Sequence, residues 1–307
     1  MRKWLGGLMS AWLSLGTAHA QVYVYNTGTG PGAYTSYISE YDTSGHVVNP
    51  AVVTGLDGGW GANSLAISGT NLIVGGYRGY IGLYPTSGGA ANPNFITVPF
   101  NGVNAIAISG NNLYLSMNAA AGSGNVALYS AVTGALLNAN LITNTNGGII
   151  AAYADKLYVA THVAGSNYDN ITQYAISGTQ ATSPVVISNG LGAPNPNFLD
   201  PVTALAATAD YVYAGYGGAG RIGRLAANGD QSGTGFFPVL VDGYPNLVST
   251  SALVVSGNLL YIADNVKNSV NIASINGGRA SPIVTGPRPT GLVISTGSAN
   301  KTSTANH

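Results

Sequence analysis

The sequence lacks cysteine and carries little charge. None of the 307 residues is Cys, and only 7% are charged, whereas about 25% is usual in soluble proteins. The absence of Cys excludes disulfides, thiolate nucleophiles and cysteine-ligated zinc. Ten Lys and Arg residues balance ten Asp and Glu residues. This scarcity of cations argues against nucleic-acid binding, because that affinity comes largely from Lys and Arg.

The first twenty residues have the pattern of a secretory signal peptide. Arg2 and Lys3 supply a positive start, an apolar segment follows to Leu15, and Ala18-His19-Ala20 matches a cleavage site. The apolar segment is shorter than the roughly 20 residues that a membrane span needs, and we predict no other span. We therefore expect a signal peptide over 1–20, a secreted or periplasmic mature chain, and a disordered polar tail over 298–307.

A short apolar run, with Tyr in the middle of five of its six copies, recurs along the mature chain. Its six copies begin 41 to 55 residues apart, which matches the roughly 40 to 50 residues of a four-stranded propeller blade. The copies are Val22-Tyr23-Val24, Leu72-Ile73-Val74, Leu113-Tyr114-Leu115, Leu157-Tyr158-Val159, Val212-Tyr213-Ala214 and Leu260-Tyr261-Ile262. We expect the repeated tyrosines to pack between neighbouring sheets, with each hydroxyl near a polar partner.

Three more strands per repeat surround each run. A small, apolar inner strand precedes the run, and a third strand and then an outer strand, for instance Phe236 to Val241, follow it. Each third strand ends near a glycine that can supply the positive φ of a tight hairpin. These glycines are Gly45, Gly88, Gly134, Gly178, Gly229 and Gly277.

The repeats predict an all-β fold, a six-bladed β-propeller of four-stranded blades in a single domain over 21–297. The mature chain begins on a second strand and ends with an unpaired inner strand over 290–295. That last strand can complete the first blade, which closes the ring and removes sheet edges. The alternatives are a seven-bladed ring and a β-solenoid with uneven coils. Nothing in the repeat requires a second copy of the chain, so we expect a monomer.

The turns between inner and second strands carry a family likeness. Gly69-Thr70-Asn71, Gly110-Asn111-Asn112 and Gly257-Asn258-Leu259 make the repeat resemble the blade of NHL-type propellers over nearly the whole mature chain. The resemblance implies the architecture. Propellers of this kind include extracellular binding proteins, gluconolactonase-type lactonases and lyases, so the fold alone does not choose a function.

The long links between strands fall on one face of the predicted propeller, which we call the long-loop face. Long loops on a rigid scaffold are where binding residues concentrate. Aromatic side chains beside polar ones suit a carbohydrate or a peptide, although such aromatics also serve to pin loops down. The candidate ligand-binding residues are Trp60, Tyr77, Arg78, His162, Tyr168, Phe198, Tyr216, Tyr244 and Arg288.

The starts of the inner strands should ring the mouth of the central channel on this face. The predicted mouth residues are uncharged: Asn63, Asn104, Thr203, Thr250 and Thr290. Resemblance to a gluconolactonase-type enzyme implies a divalent cation such as calcium at this place, and hard cations need carboxylate oxygens. Asp200 and Asp264 are the candidate metal ligands, whereas the only glutamate, Glu40, lies in a third strand away from the mouth.

Nucleophilic catalysis has little support in the sequence. His162 can pair with Asp169 or Asp200, but no Gly-x-Ser-x-Gly elbow supplies a nucleophile, and an exposed loop histidine explains His162 equally well. Three hypotheses remain. The first is a non-catalytic propeller that binds a carbohydrate, a peptide or a surface protein through the long-loop face, without a cofactor. The second is a metal-dependent lactonase or esterase, and the third is a structural surface or matrix protein.

Overall fold

The chain forms a ring of six antiparallel β-sheets. The computed structural model describes residues 20–28, 35–57, 64–76, 79–88, 90–98, 102–118, 124–164, 169–188, 201–216, 221–230, 249–275 and 282–295. These ranges contain 23 strands, numbered β1 to β23 in chain order. They contain no helix that is long and apolar enough to cross a membrane. Each sheet is one blade, whose strands we call inner, second, third and outer, counted from the central axis. The blades are numbered 1 to 6 in the chain order of their second strands.

The same strand order recurs around the ring, with four described strands in five sheets and three in the sheet β16-β17-β18. The inner strands are β4 (Ser64–Ser68), β8 (Val103–Ser109), β12 (Ile149–Tyr153), β16 (Val202–Ala207), β19 (Thr250–Ser256) and β23 (Pro289–Ile294). The second strands are β1 (Gln21–Asn26), β5 (Asn71–Gly75), β9 (Asn112–Met117), β13 (Lys156–His162), β17 (Tyr211–Tyr216) and β20 (Leu259–Asp264). The third strands are β2 (Thr35–Asp42), β6 (Tyr80–Pro85), β10 (Asn125–Ser130), β14 (Asp169–Ser177), β18 (Arg221–Ala226) and β21 (Ser269–Ser274). The outer strands are β3 (Val47–Asp57), β7 (Asn92–Thr97), β11 (Leu136–Thr143), β15 (Gln180–Ser188) and β22 (Ile283–Val284). The outer strand predicted over Phe236–Val241 lies outside the described residues.

The two ends of the described chain meet in blade 1, whose strand order is β23-β1-β2-β3. Strand β23 pairs antiparallel with β1, so that Val22 faces Ile294 and Val24 faces Leu292. The backbone N–H of Gln21 also donates to Ser295 Oγ at 2.9 Å. The predicted all-β six-bladed propeller, with the last strand completing the first blade, is therefore confirmed.

The hydrophobic core is divided into six clusters, one at each interface between neighbouring blades. Both faces of a second strand meet such a cluster, which explains why these strands are continuous apolar runs rather than alternating ones. The repeated tyrosines lie in the cluster between their own blade and the next, and each is at most 3% exposed: Tyr23, Tyr114, Tyr158, Tyr213 and Tyr261. The prediction that they pack between sheets is confirmed, whereas the Tyr158 hydroxyl is buried without a hydrogen-bond partner among the described residues.

Burial changes the acidity of these tyrosines. Burial raises the pKa of Tyr23 to about 12, and the nearby negative charge of Glu40 adds to the rise. The Tyr23 hydroxyl donates a hydrogen bond to Glu40 Oε1 at 3.0 Å, so the single glutamate of the chain serves blade 1 as a hydrogen-bond acceptor. Burial likewise raises the pKa of Tyr158 to about 12, with a contribution from Asp155.

The hairpin glycine between third and outer strands has two roles in blade 3. Gly134 has a φ of +71°, which is costly for residues with a Cβ atom. A Cβ atom there would also lie 2.8 Å from the carbonyl oxygen of Phe95, in the outer strand of blade 2. The turn glycine therefore both closes the hairpin and lets blade 3 approach the blade before it.

Candidate binding face

Strand direction places the channel mouth and the long links at the same end of the ring. Inner strands begin and second strands end on the long-loop face, whereas the short hairpins lie on the opposite face, which we call the short-turn face. The structure describes His162, Tyr216, Asp264, Arg288, Asn104, Thr203, Thr250 and Thr290 among the predicted site residues. Eight others lie outside the described residues: Trp60, Asn63, Tyr77, Arg78, Tyr168, Phe198, Asp200 and Tyr244.

A β-bulge recurs at the start of four inner strands. In blade 3, Val103 faces Met117 and Ala105 faces Ser116, so Asn104 between them has no partner in the ladder. A bulge bends the strand and re-aims the extra side chain. The residues skipped in this way are Asn104, Thr203, Ser251 and Thr290, in blades 3, 5, 6 and 1.

The bulge residues of blades 3, 5 and 6 hydrogen-bond to the backbone of the next blade. Asn104 Nδ2 donates to the Gly147 carbonyl at 2.6 Å, and Ser251 Oγ donates to the Pro289 carbonyl at 2.6 Å. Thr203 Oγ1 donates to the carbonyl of Thr250 in the same way. In blade 1, Thr290 Oγ1 instead shares a hydrogen bond of 3.1 Å with Thr27 Oγ1. The bulges thus link blade 3 to blade 4, blade 5 to blade 6 and blade 6 to blade 1 at the mouth.

The predicted mouth position of blade 6 requires a correction. Thr250 is fully buried, and its methyl group packs where a Cβ atom of Gly215 would stand. The next residue, Ser251, lines the mouth cavity instead. The bulge between Thr250 and Ala252 explains the difference, because the extra residue exchanges the orientations of neighbouring side chains.

Two cavities lie along the channel axis and share a ring of large aliphatic residues: Leu65, Ile106, Ile150, Leu205, Leu253 and Leu292. The mouth cavity, of about 80 Å³, also contacts the polar residues Ser64, Asn104, Thr203 and Ser251. Among the described residues, those that line the deeper cavity, of about 260 Å³, are Leu, Ile, Val and Ala. The mouth therefore differs from the deeper channel in its polar side chains, because the deeper lining offers polar groups from the backbone alone.

His162 and Asp169 form a pair at the end of blade 4. They face each other across the last rung of β13 and β14, and His162 Nδ1 lies 3.0 Å from Asp169 Oδ1. The other carboxylate oxygen accepts the backbone N–H of Val202 in blade 5 at 2.6 Å. The Asp169 side chain is 7% exposed and that of His162 is 48% exposed. The buried carboxylate of Asp169 thus accepts two hydrogen bonds and holds the exposed imidazole of His162 in place.

Tyr216 and Asp264 occupy equivalent places in adjacent blades and are both buried. Each ends a second strand, opposite the residue before a bulge. Tyr216, predicted as a loop aromatic, is 6% exposed; its pKa is raised by burial and by the charge of Asp169. Asp264 is fully buried, and its Oδ1 accepts the N–H groups of Val266 and Lys267, each at 3.0 Å. The strands extend further than the sequence suggested, and this extension buries both side chains.

Arg288 stands directly before the inner strand of blade 1. Its side chain is exposed, and its backbone has a φ of +48°. The backbone N–H donates to Asn268 Oδ1 at 2.7 Å. Among the described residues, no group of three or more His, Asp or Glu side chains is placed to hold a metal ion.

Sequence reasoning missed Ser64 and Ser251 as mouth residues. A signal for Ser251 was present, because each bulge residue precedes the large aliphatic residue of its inner strand by two positions. The pattern is Asn104-x-Ile106, Thr203-x-Leu205, Ser251-x-Leu253 and Thr290-x-Leu292. Aligning the repeats on the aliphatic residue would have selected Ser251 rather than Thr250.

Fold and site together define a six-bladed β-propeller whose described channel-mouth residues are uncharged and hydrogen-bonded to neighbouring strands. The structure is similar to one chain of a crystal structure of a nidogen/laminin complex, with a TM-score of 0.66 and 16% identity over 91% of this chain and 99% of that one. It is less similar to a computationally designed protein, Ika8, with a TM-score of 0.43 and 14% identity over 83% and 73% of the two chains; this second likeness carries no argument. In total 870 chains of solved structures match, so the shape by itself selects no function. No protein-family model and no curated protein matches the sequence, and the resemblance to NHL-type blades stays a prediction.

Proposed function

We propose that the protein is an exported, non-catalytic propeller that binds a protein partner through its long-loop face. The observation that carries the proposal is the fixed presentation of His162. Its ring is half exposed, and the buried Asp169 holds it in place. Because a side chain that is already ordered loses less conformational entropy on binding, it is a good contact point for a partner.

The chemistry of the pair defines what His162 presents. A carboxylate only accepts hydrogen bonds, so Nδ1 must carry the proton that points to Asp169. In the neutral ring Nε2 is then an acceptor that faces away from the carboxylate, and on protonation it becomes a donor. His162 can therefore accept from, or donate to, a polar group of a partner.

The fold supports a protein partner in a general way. The similar chain discussed above comes from a complex of two proteins, nidogen and laminin. A rigid ring with its long links on one face offers the kind of platform on which binding loops concentrate. Export, expected from the first twenty residues, would place the present chain where it meets other secreted or surface proteins.

The contacts of two candidate residues argue against the hydrolase alternative. That mechanism needs Asp264 and Asn104 to direct free oxygens at a common metal ion. Asp264 is buried and bonded to the turn that follows it. Asn104 is paired with Asn118, with hydrogen bonds of 3.0 and 2.7 Å between the two amides. Because Asp264 is buried, Asn104 Oδ1 is the one oxygen of these two residues that can face the mouth, and a single amide oxygen is too few ligands for a metal ion.

Selection from a library of phage-displayed random peptides on the immobilised mature chain tests the proposal. The structure offers matched variants, because His46 on the short-turn face also lies 3.0 Å from an aspartate, Asp42. We expect selected peptides to lose affinity for His162→Ala and to bind His46→Ala as well as the unchanged protein. Peptides that ignore the His162→Ala change, or a library from which none is enriched, would count against the proposal. A glycan array run in parallel would reveal a carbohydrate ligand instead.

A further inference from the structure

We infer that the mouth cavity binds a primary ammonium group, which a lysine side chain of the partner presents. The identity of the partner rests on the proposed function, whereas the site rests on the mouth residues themselves. The cavity is lined by polar residues from blades 2, 3, 5 and 6, namely Ser64, Asn104, Thr203 and Ser251. Its volume of about 80 Å³ exceeds the roughly 30 Å³ that a water molecule occupies in the liquid, so an ammonium group fits.

The two bulge hydroxyls face the mouth as hydrogen-bond acceptors. Ser251 Oγ lies 3.1 Å from the Ala263 carbonyl and 2.6 Å from the Pro289 carbonyl. Thr203 Oγ1 contacts the carbonyls of Gly215 and Thr250 in the corresponding way. A carbonyl cannot donate, so each hydroxyl proton is directed at the backbone. The two hydroxyl oxygens therefore offer a ligand in the cavity their lone pairs and no proton.

The donors and acceptors around the Asn104 amide likewise determine which of its atoms is nitrogen and which is oxygen. Its contact with the Gly147 carbonyl at 2.6 Å identifies the contacting atom as nitrogen, because two oxygens without a proton would repel. The second proton of that nitrogen is directed at Asn118 Oδ1 at 3.0 Å. The amide nitrogen therefore has no proton left for a ligand, and Asn104 Oδ1 retains one lone pair beside its bond from Asn118.

Ser64 lies beside the mouth, but its hydroxyl does not reach the cavity. The residue is 5% exposed, and its Oγ is buried without a hydrogen-bond partner among the described residues. A ligand in the cavity therefore meets the oxygens of Asn104, Thr203 and Ser251. The mouth thus offers three side-chain oxygens that only accept hydrogen bonds.

An ammonium group matches this set better than the alternatives. It carries three N–H donors and no acceptor, whereas a carboxylate would meet lone pairs. A hard divalent cation prefers carboxylate ligands, and the polar residues that line the cavity in the described part of the chain are neutral. The expected mature chain also has a slight negative balance, since removal of Arg2 and Lys3 leaves 8 − 10 = −2.

The surroundings limit how far the charge can enter. The six aliphatic side chains that the mouth shares with the deeper cavity carry no polar atom, so further along the channel an ammonium group has backbone groups alone as partners. The exposed Arg288, directly before the inner strand of blade 1, opposes a second positive charge. We therefore expect the ammonium to stop at the mouth, and its affinity to rise when Arg288 is neutralised.

Calorimetric titration of the mature protein with n-butylammonium chloride tests the site. Tetramethylammonium has the same charge and no N–H donor, so it separates hydrogen bonding from charge attraction. We expect saturable binding of one n-butylammonium, at least about tenfold weaker binding of tetramethylammonium, and little competition from sodium or potassium. Equal binding of both ammonium ions, stronger binding of a metal ion, or no saturable binding would overturn the inference.

Two matched variants test whether n-butylammonium binds at the mouth. Ser251→Ala removes a hydroxyl that joins neighbouring blades at the mouth. Ser109→Ala removes one that donates at 2.6 Å to the Ala154 carbonyl of the next blade, at the short-turn end of β8. Both lose a similar structural bond, but only Ser251→Ala should weaken n-butylammonium binding, by about tenfold, and Arg288→Gln should strengthen it at low salt. Equal losses in both serine variants would mean that the effect is structural and would overturn the assignment.

The outcomes for the site and for the proposed function are distinguishable. Replacement of each lysine by norleucine in a phage-selected peptide tests whether the partner uses the site. A loss confined to one lysine, with n-butylammonium as a competitor, supports the inference. Peptides that need the long-loop face but no lysine would retain the proposed function and overturn the inference. Binding of n-butylammonium without any selected peptide would retain the site and contradict the proposed function.

Discussion

Thr203 Oγ1 donates a hydrogen bond to the backbone carbonyl of Thr250, the first residue of the next inner strand. The donor is the unpaired residue of a β-bulge. Ser251 repeats this arrangement toward Pro289 one blade further on. The β-bulge thus interrupts the backbone hydrogen bonds within one blade and supplies a side-chain hydrogen bond to the next blade.

This relationship makes the hydroxyl of Thr203 important for stability. Thr203→Val keeps the shape of the side chain and removes the donor, which leaves the Thr250 carbonyl without that bond. We expect a loss of about 1–3 kcal/mol in the free energy of unfolding, measured by urea denaturation. Thr203→Ser keeps the hydroxyl and should retain most of the stability. A valine variant as stable as the unchanged protein would show that the bond contributes nothing.

The hairpin glycines of blades 2 and 3 should differ in their tolerance of alanine. Gly88 and Gly134 have similar φ values of +76° and +71°, so each Ala variant loses about 1–2 kcal/mol from the backbone conformation. A Cβ atom at Gly88 meets nothing within 4 Å, whereas one at Gly134 lies 2.8 Å from the Phe95 carbonyl oxygen. Gly134→Ala should therefore cost about 1–3 kcal/mol more. Equal costs in denaturant unfolding would refute the proposed contact between blades 2 and 3.

Alkaline pH should destabilise the ring through its buried tyrosines. Burial raises the pKa of Tyr23 and of Tyr158 to about 12 from a usual value of 10.0. Between these values the unfolded state has lost the proton and the folded state has kept it, so stability falls as pH rises. We expect full stability below pH 10 and a decline from there to about pH 12, of up to about 1.4 kcal/mol per pH unit for each such tyrosine.

Tyr23→Phe checks that assignment, because it removes one ionisable group and keeps the ring. The slope of unfolding free energy against pH above 10 should become shallower in this variant. A phenolate titration of the folded protein should show several tyrosines, Tyr23, Tyr158 and Tyr216 among them, ionising at a higher pH than they do in the unfolded chain. An unchanged slope would mean that Tyr23 ionises equally in both states.

Closure of the ring by β23 can be tested by truncation. A chain that ends at Arg288 lacks β23 and leaves β1 without its antiparallel partner. We expect it to unfold or aggregate, since an exposed strand edge is a template for association. A chain that ends at Ser295 retains β23 and the bond from Gln21 to Ser295, and its melting temperature should be unchanged. Equal stability of the two truncated chains would contradict closure by β23.

The fold was predictable because the repeat encodes it redundantly. The Tyr-centred run, the small inner strand and the turn glycine recur together. A strand that is hard to place in one repeat can therefore be located by comparison with the other repeats. The pairing of β23 with β1 followed from counting strands. The tyrosines were assigned correctly for the same reason, because a residue that repeats by blade position serves the blade.

The site was less predictable because it depends on departures from the repeat. Bulges arise from pairing between strands, and composition does not show them; Thr250 was therefore chosen in place of Ser251. Tyr216 and Asp264 were placed in loops because Gly-rich and turn-forming residues follow them, yet both end buried strands. The His162–Asp169 pair was one of two predicted alternatives, and it follows from the cross-strand register of β13 and β14.

The most direct test of the account compares the affinity of one phage-selected peptide for Ser251→Ala and for Ser109→Ala. The two serines form comparable bonds between blades at opposite ends of the inner strands, so the comparison cancels the structural cost. Binding through the channel mouth predicts a loss of about tenfold for Ser251→Ala and none for Ser109→Ala. Equal affinity for both variants, or a loss confined to Ser109→Ala, would contradict a binding site at the mouth of the long-loop face.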